Sequence, residues 1–169
     1  MRRGQSPPPY SKHFFNIKQN DRMVQLHIFI NNIKVVGIFL AVNFALFIPV
    51  VIVWILFNSY RTSDTVRYIL TFLLVIAAIC LYFIASRRFI KSTGNLFYDA
   101  LSLAGVAVIT IIILTLLPNL IPHIQMFFYY PFTFLILRVW TGDGDIRLGV
   151  AIASLISMAA VFVGIIKSK

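Results

Sequence analysis

The residues best suited to chemistry are few and scattered. Asp143 and Asp145 flank Gly144 in the stretch TGDGDIR, and two carboxylates at that spacing can share a divalent cation. The same glycines also suit a tight turn in which the aspartates cap or solvate the next helix. Two carboxylates are too few for a closed calcium site and no EF-hand spacing follows, so the turn is the reading adopted. Asp99 stands near the start of an apolar run, downstream of Arg87, Arg88 and Lys91. An ionisable group at membrane depth often marks a proton or ion path. A carboxylate in a first helical turn is instead favoured by the helix dipole, and the basic loop before it would neutralise its charge. The second account is the one expected here. His123 follows Pro122, while His13 and His27 lie in or near the N-terminal stretch. Zinc needs several converging ligands and no H-x-x-x-H or H-E-x-x-H occurs, so each is read as an isolated histidine. Nucleophile elbow, phosphate loop and dinucleotide fingerprint are all missing. The sequence gives no reason to expect a cofactor, a metal or catalysis.

Within the apolar runs the polar residues are Asn43, Thr71, Thr110, Thr115, Ser154 and Ser157. Such groups can line a narrow solute path, but hydroxyls more often bond back to their own helix or join two helices. Pro49, Pro118 and Pro131 interrupt apolar segments, as in the broken helices of transporters, yet no pair of inverted halves accompanies them. Cys80 is the sole cysteine and lies in an apolar run, which rules out a disulfide framework and a thiolate metal cluster.

These residues must be positioned by membrane helices. The chain has 169 residues, 60% of them hydrophobic and 12% charged, a composition far from that of soluble domains. Its net charge of +10 is spread over short loops at the ends of apolar runs. That distribution fits positive-inside topology and anionic headgroups better than nucleic acid. Residues 1–22, with Pro7, Pro8 and Pro9, read as a flexible basic cytoplasmic tail. Over residues 23–34, Met23, Leu26, Ile30 and Ile33 fall at helical spacing among polar neighbours, which predicts a short interfacial helix. Four segments, 35–57, 68–85, 101–117 and 148–166, have the length and apolarity of crossings.

A fifth segment, 122–140, carries six aromatics between Phe127 and Phe134. If it crosses, the C-terminus lies outside; if it re-enters, the C-terminus returns inside. The excess of Lys and Arg is the same either way. Pro122 at a first helical turn and the interfacial pair Arg138 and Trp140 favour a crossing. The expectation is therefore an all-α integral membrane protein of four to five helices, preferably five, in one compact bundle. The N-terminus would be cytoplasmic, the C-terminus outside, and the cell membrane its location.

Close helix packing in lipid depends on small residues. Gly37, Ala41 and Ala45 form such a stripe on the first helix, and Gly149, Ala153 and Ser157 form one on the last. Asn43 points roughly opposite to the first stripe, so both faces of that helix are expected to be covered and the helix to be central. The function expected is that of an accessory, assembly or regulatory subunit, working through helix association with a membrane partner or a second copy. Anionic lipid is expected at its basic segments. Two alternatives come from other classes. One is a small solute or ion transporter or channel using Asn43, Asp99 and the threonines. The other is an enzyme acting on a lipid or lipid-linked sugar through Asp143 and Asp145.

Overall fold

The structure is a computed structural model, and it describes residues 9–59, 64–116 and 146–168. Five helices make up these residues: α1 (Pro9–Ser59), α2 (Asp64–Phe89), α3 (Leu96–Leu101), α4 (Ala104–Leu116) and α5 (Ile146–Ile166). No strand occurs among the described residues. The stretches Arg22–Ile52 and Tyr68–Phe89 are long and apolar enough to cross a membrane, each containing an 18-residue window with a mean hydropathy of 2.7.

α1 is one helix of 51 residues, on the order of 75 Å long at 1.5 Å per residue. The sequence suggests a tail to residue 22 and a separate short helix over 23–34, but no break separates either from the first apolar run. Polarity changes along this stretch, whereas ending a helix requires a breaker or a cap. From Tyr10 to Ile48 there is no proline and only one glycine, Gly37, so nothing interrupts the ladder. Pro9 sits at the first helical position, where its missing N–H costs nothing.

Hydrogen bonds fix the directions of the helices. Asn31, near the start of the packed part of α1, donates from Nδ2 to the Lys91 carbonyl beyond the end of α2 (3.1 Å). Further along α1, Asn43 meets Tyr82 of α2, so α1 and α2 run antiparallel. The Ser92 N–H donates to Ser168 Oγ (3.1 Å) just after α5, and Gly164 of α5 abuts Phe83 and Ser86 of α2. α2 and α5 are therefore parallel and finish at the same end of the bundle. Five crossings in alternating directions would put the end of α5 opposite the end of α2. Segment 122–140 itself lies outside the described residues.

The core gathers the inward faces of α1, α2, α4 and α5. Val35, Ile38, Val42, Leu46 and Val50 bury one side of α1, joined by Ala78, Tyr82, Val106, Ala153, Val161 and Ile165. The other side of α1 exposes Leu40, Phe44 and Ile48. Its stripe of Gly37, Ala41 and Ala45 is exposed too, and a Cβ added at Gly37 would have no atom within 4 Å. Among the described residues α1 packs through one face. The larger residues Val35, Phe39, Val42 and Leu46 form its contact surface instead. On α5, Gly149, Ala153 and Ser157 are all buried. A Cβ at Gly164 would lie 2.7 Å from the Phe83 carbonyl and nearer still to Ser86 Oγ, so α2 and α5 approach as closely as a glycine permits.

The third apolar run is helical but interrupted. The Leu103 N–H donates to the Ala100 carbonyl (3.0 Å), one residue short of the α-helical partner, before Ala107 resumes the regular pattern with Leu103. In an unbroken helix Gly105 N–H would donate to the Leu101 carbonyl. The side chain of Asn32 stands between them.

Candidate functional site

The polar side chains collect at the end of the bundle where α2 and α5 finish. Residues Ile90 to Asn95 join α2 to α3, and Gly94 in this loop has φ of +82°, a conformation that L side chains seldom adopt. Asn95 caps α3, its Oδ1 accepting from Phe97 N–H (2.9 Å), as its residue type favours. Asp99 then reaches back over the loop. Its Oδ2 accepts from Ser92 Oγ (2.6 Å), and its Oδ1 accepts from Thr93 N–H (2.7 Å) and Thr93 Oγ1 (2.8 Å).

Asp99 is 1% exposed, and three donors from two consecutive residues satisfy it. The expected neutralisation by Arg87, Arg88 or Lys91 is not what holds it. Those side chains are exposed, and Asp99 makes no ion pair among the described residues. A short loop that curls over the carboxylate can offer hydroxyls and a backbone N–H from directly overhead, while long basic side chains at a helix end extend to solvent. Both Ser92 and Thr93 hydroxyls are committed to this carboxylate, so the cluster is a loop staple.

α1 adds two asparagines. Asn31, 1% exposed, ties α1 to the Lys91 carbonyl. Asn32 accepts from Gly105 N–H at Oδ1 (2.7 Å) and donates from Nδ2 to Leu101 O (3.2 Å) and to Ile28 O in its own helix (3.0 Å). Its carboxamide thus replaces one rung of the α3–α4 ladder, satisfying both groups that the interruption would orphan. In the sequence Asn31 and Asn32 are no more than polar neighbours of the apolar stripe over residues 23–34. The available signal was the adjacent pair itself, two short amides just before an apolar run.

A second polar point lies deeper. Asn43 is 4% exposed; its Oδ1 accepts from the Tyr82 hydroxyl (3.2 Å), and its Nδ2 has no partner. Tyr82 also packs on Phe39, with ring centroids 4.8 Å apart. The structure therefore keeps Asn43 and Asp99 apart, one between helices and the other in the end loop.

Four hydroxyls of the apolar helices turn to their own helices. Thr110 Oγ1 donates to Val106 O, Thr115 to Ile111 O, Ser154 to Ala151 O and Ser157 to Ala153 O. Cys80 is exposed beside an apolar groove between α2 and α5, lined also by Ile79, Phe83, Ile156 and Ala160. Among the described residues no three His, Cys, Asp or Glu side chains gather as a metal site would require. His123, Asp143 and Asp145 lie outside the described residues. Comparison with protein-family models, with curated proteins and with solved structures finds no match in any of the three.

Proposed function

We propose that the protein is a multi-pass membrane protein that works by holding a partner, as an accessory, assembly or regulatory subunit, and not by catalysis. Four crossings fit the described helices: α1, α2, α3 with α4, and α5, in alternating directions. Leu96 to Leu116 and Ile146 to Ile166 each cover about 30 Å at helical rise, the thickness of a bilayer core. Arg22, Lys34, Arg87, Arg88, Lys91 and Lys167 belong to the end where α2 and α5 finish, which makes that end cytoplasmic by the positive-inside rule. The start of α1 and the end of α5 then belong to the cytoplasmic side, and the end of α4 and the start of α5 to the other.

The observation that carries the partner reading is the N-terminal part of α1. Pro9 to Ile30 continue the helix beyond the level at which Asn31 and Asn32 join the bundle, an arm of about 33 Å. On it Met23, Leu26 and Ile30 are exposed in one stripe, at 65, 59 and 41%, which Ile33 continues at 58%. An apolar stripe on a basic helical arm is suited to a helix-in-groove contact. The test is purification from native membranes in mild detergent, comparing wild type with a Leu26→Gln, Ile30→Gln double variant. A protein retained in stoichiometric amount by the first and lost by the second is expected. Equal retention, or none by either, overturns the reading.

The uncommitted Nδ2 of Asn43 supports a second reading, passage of a small polar solute between α1 and α2. It requires that Asn43→Leu abolish flux in proteoliposomes while the helical content is kept.

A further inference from the structure

At the cytoplasmic end a depression of about 380 Å³ opens between the arm of α1 and the α2–α3 loop. Met23, Val24 and His27 line it from α1, and Ser92, Thr93, Asn95 and Tyr98 from the loop and α3. The lining polar groups divide into two sets. Ser92 and Thr93 are committed to Asp99. The His27 imidazole, the Asn95 Nδ2 and the Tyr98 hydroxyl have no partner among the described residues, although Asn95 Oδ1 is engaged in capping α3. Three side chains from three elements thus bring unused donors to one concavity.

The surrounding charge is predominantly positive. Arg22 and Lys91 adjoin the lining residues Met23 and Ser92 in the chain, and both are exposed. With Lys34, Arg87, Arg88 and Lys167 they outnumber the carboxylates of this end, Asp21 and Asp99. Asp99 is buried and turned to the loop's own donors, so it does not compete for the pocket. The walls on the arm are apolar, and Leu96 and Phe97 beside the pocket are exposed at 63 and 68%. Unused donors, basic neighbours and an apolar border are the features that fit a phosphate group carried at a hydrocarbon boundary.

We infer that this pocket binds a phosphate monoester, with Asn95 Nδ2, Tyr98 Oη and His27 as hydrogen-bond donors and Arg22 and Lys91 as the nearby cations. The ester belongs either to a membrane phospholipid headgroup or to a soluble phosphate ester. The inference rests on the membrane reading above for the first source only.

The test uses the purified full-length chain in neutral detergent and native mass spectrometry, with short-chain phosphatidic acid, the matching diacylglycerol and glycerol 3-phosphate as probes. Phosphatidic acid should be retained at least about tenfold better than diacylglycerol, the loss expected when charge-assisted hydrogen bonds are removed. Asn95→Asp keeps the α3 cap while exchanging a donor for a negative charge, and Tyr98→Phe removes only the hydroxyl. Each should cut retention several-fold, with Cys80→Ala as a neutral reference. Glycerol 3-phosphate retained as well as phosphatidic acid identifies a soluble ester as the ligand, and phosphatidic acid held at least about tenfold more tightly identifies the lipid. Equal retention of phosphatidic acid and diacylglycerol overturns the site, as does full retention by both Asn95→Asp and Tyr98→Phe in folded protein. Membrane embedding is judged separately by alkaline carbonate extraction. Release of the chain there, with glycerol 3-phosphate still bound, removes the membrane reading and leaves the pocket.

Discussion

Asn32 and Gly105 are 73 residues apart, and the amide oxygen of the first accepts the backbone N–H of the second at 2.7 Å. The same carboxamide donates to Leu101 O, so one side chain fills the gap in a backbone rung of another helix. Asn32→Ala removes both partners at once. A loss of about 1–3 kcal/mol is expected from orphaning them, offset in part if Gly105 N–H closes directly onto Leu101 O. Thermal unfolding in detergent measures the cost. Amide exchange at Gly105 distinguishes the outcomes, since a closed rung keeps protection and an open one loses it. An unchanged Tm with unchanged exchange would mean that Asn32 does not hold the interruption.

Gly105 itself is tight against that amide. A Cβ there would sit 3.0 Å from Asn32 Oδ1 and 3.6 Å from Val36 Cγ2. Gly105→Ala gains helix propensity but pushes on the group that fills the gap, so the two effects oppose. In the Asn32→Ala background the contact is gone, and Gly105→Ala should then be more favourable than in wild type. Additivity of the two substitutions in a double-mutant cycle of Tm values would contradict this coupling.

Gly164 and Gly37 provide a sharper contrast. The first meets Phe83 O and Ser86 Oγ, and the second meets nothing. Gly164→Ala should cost about 1–3 kcal/mol as an overpacked contact. Ser86→Ala should restore only part of it, because the Phe83 carbonyl is backbone and cannot withdraw. Gly37→Ala should be neutral or slightly stabilising. Equal Tm values for the two glycine variants would show that α2 and α5 are not in close contact.

That contrast marks how far the sequence can be read. The small residues of α5 and those of α1 have the same spacing, yet one set is buried and the other exposed. Spacing defines a stripe but not whether a neighbour lies against it. The long apolar runs identify α2 and α5 because continuous apolarity is a local property. Asp99 is legible as a first-turn carboxylate, whereas its donors Ser92 and Thr93 depend on a loop folding back around a glycine of positive φ. Asn32 is least legible of all, since its partners are backbone atoms and leave no trace in residue type. The shared end of α2 and α5 was also hidden, because the Lys and Arg of the chain balance equally under both arrangements of residues 122–140.

Asn43 and Tyr82 should respond to substitution to different extents. Tyr82→Phe takes the donor from Asn43 Oδ1 and adds a second unpaired end to an amide whose Nδ2 already lacks a partner, a destabilisation of about 1 kcal/mol or more. Asn43→Leu discards an amide whose Nδ2 is already unpartnered and replaces it with apolar volume among Phe39, Val42 and Leu46. A smaller loss than for Tyr82→Phe is expected, because the leucine takes the acceptor from the Tyr82 hydroxyl but also removes the unsatisfied Nδ2. A drop for Asn43→Leu as large as that for Tyr82→Phe would show that the amide is fully paired in the folded protein.

The position of the C-terminus is open to a direct test. Ser92 N–H reaches Ser168 Oγ, so Lys91 and Lys167 belong to one end of the bundle, while Thr65 at the start of α2 belongs to the other. Single cysteines at these three positions in a Cys80→Ala background can be labelled in sealed membrane vesicles with a membrane-impermeant maleimide. Lys91→Cys and Lys167→Cys should react from the same side, and Thr65→Cys only from the opposite one. Segment 122–140 crosses the bilayer if Lys167→Cys instead reacts together with Thr65→Cys. In that case the parallel packing of α2 and α5 could not hold, because their C-terminal ends would be separated by the whole thickness of the membrane. The labelling pattern therefore tests the helix arrangement itself, through two residues whose separation in the chain gives no hint that they are neighbours.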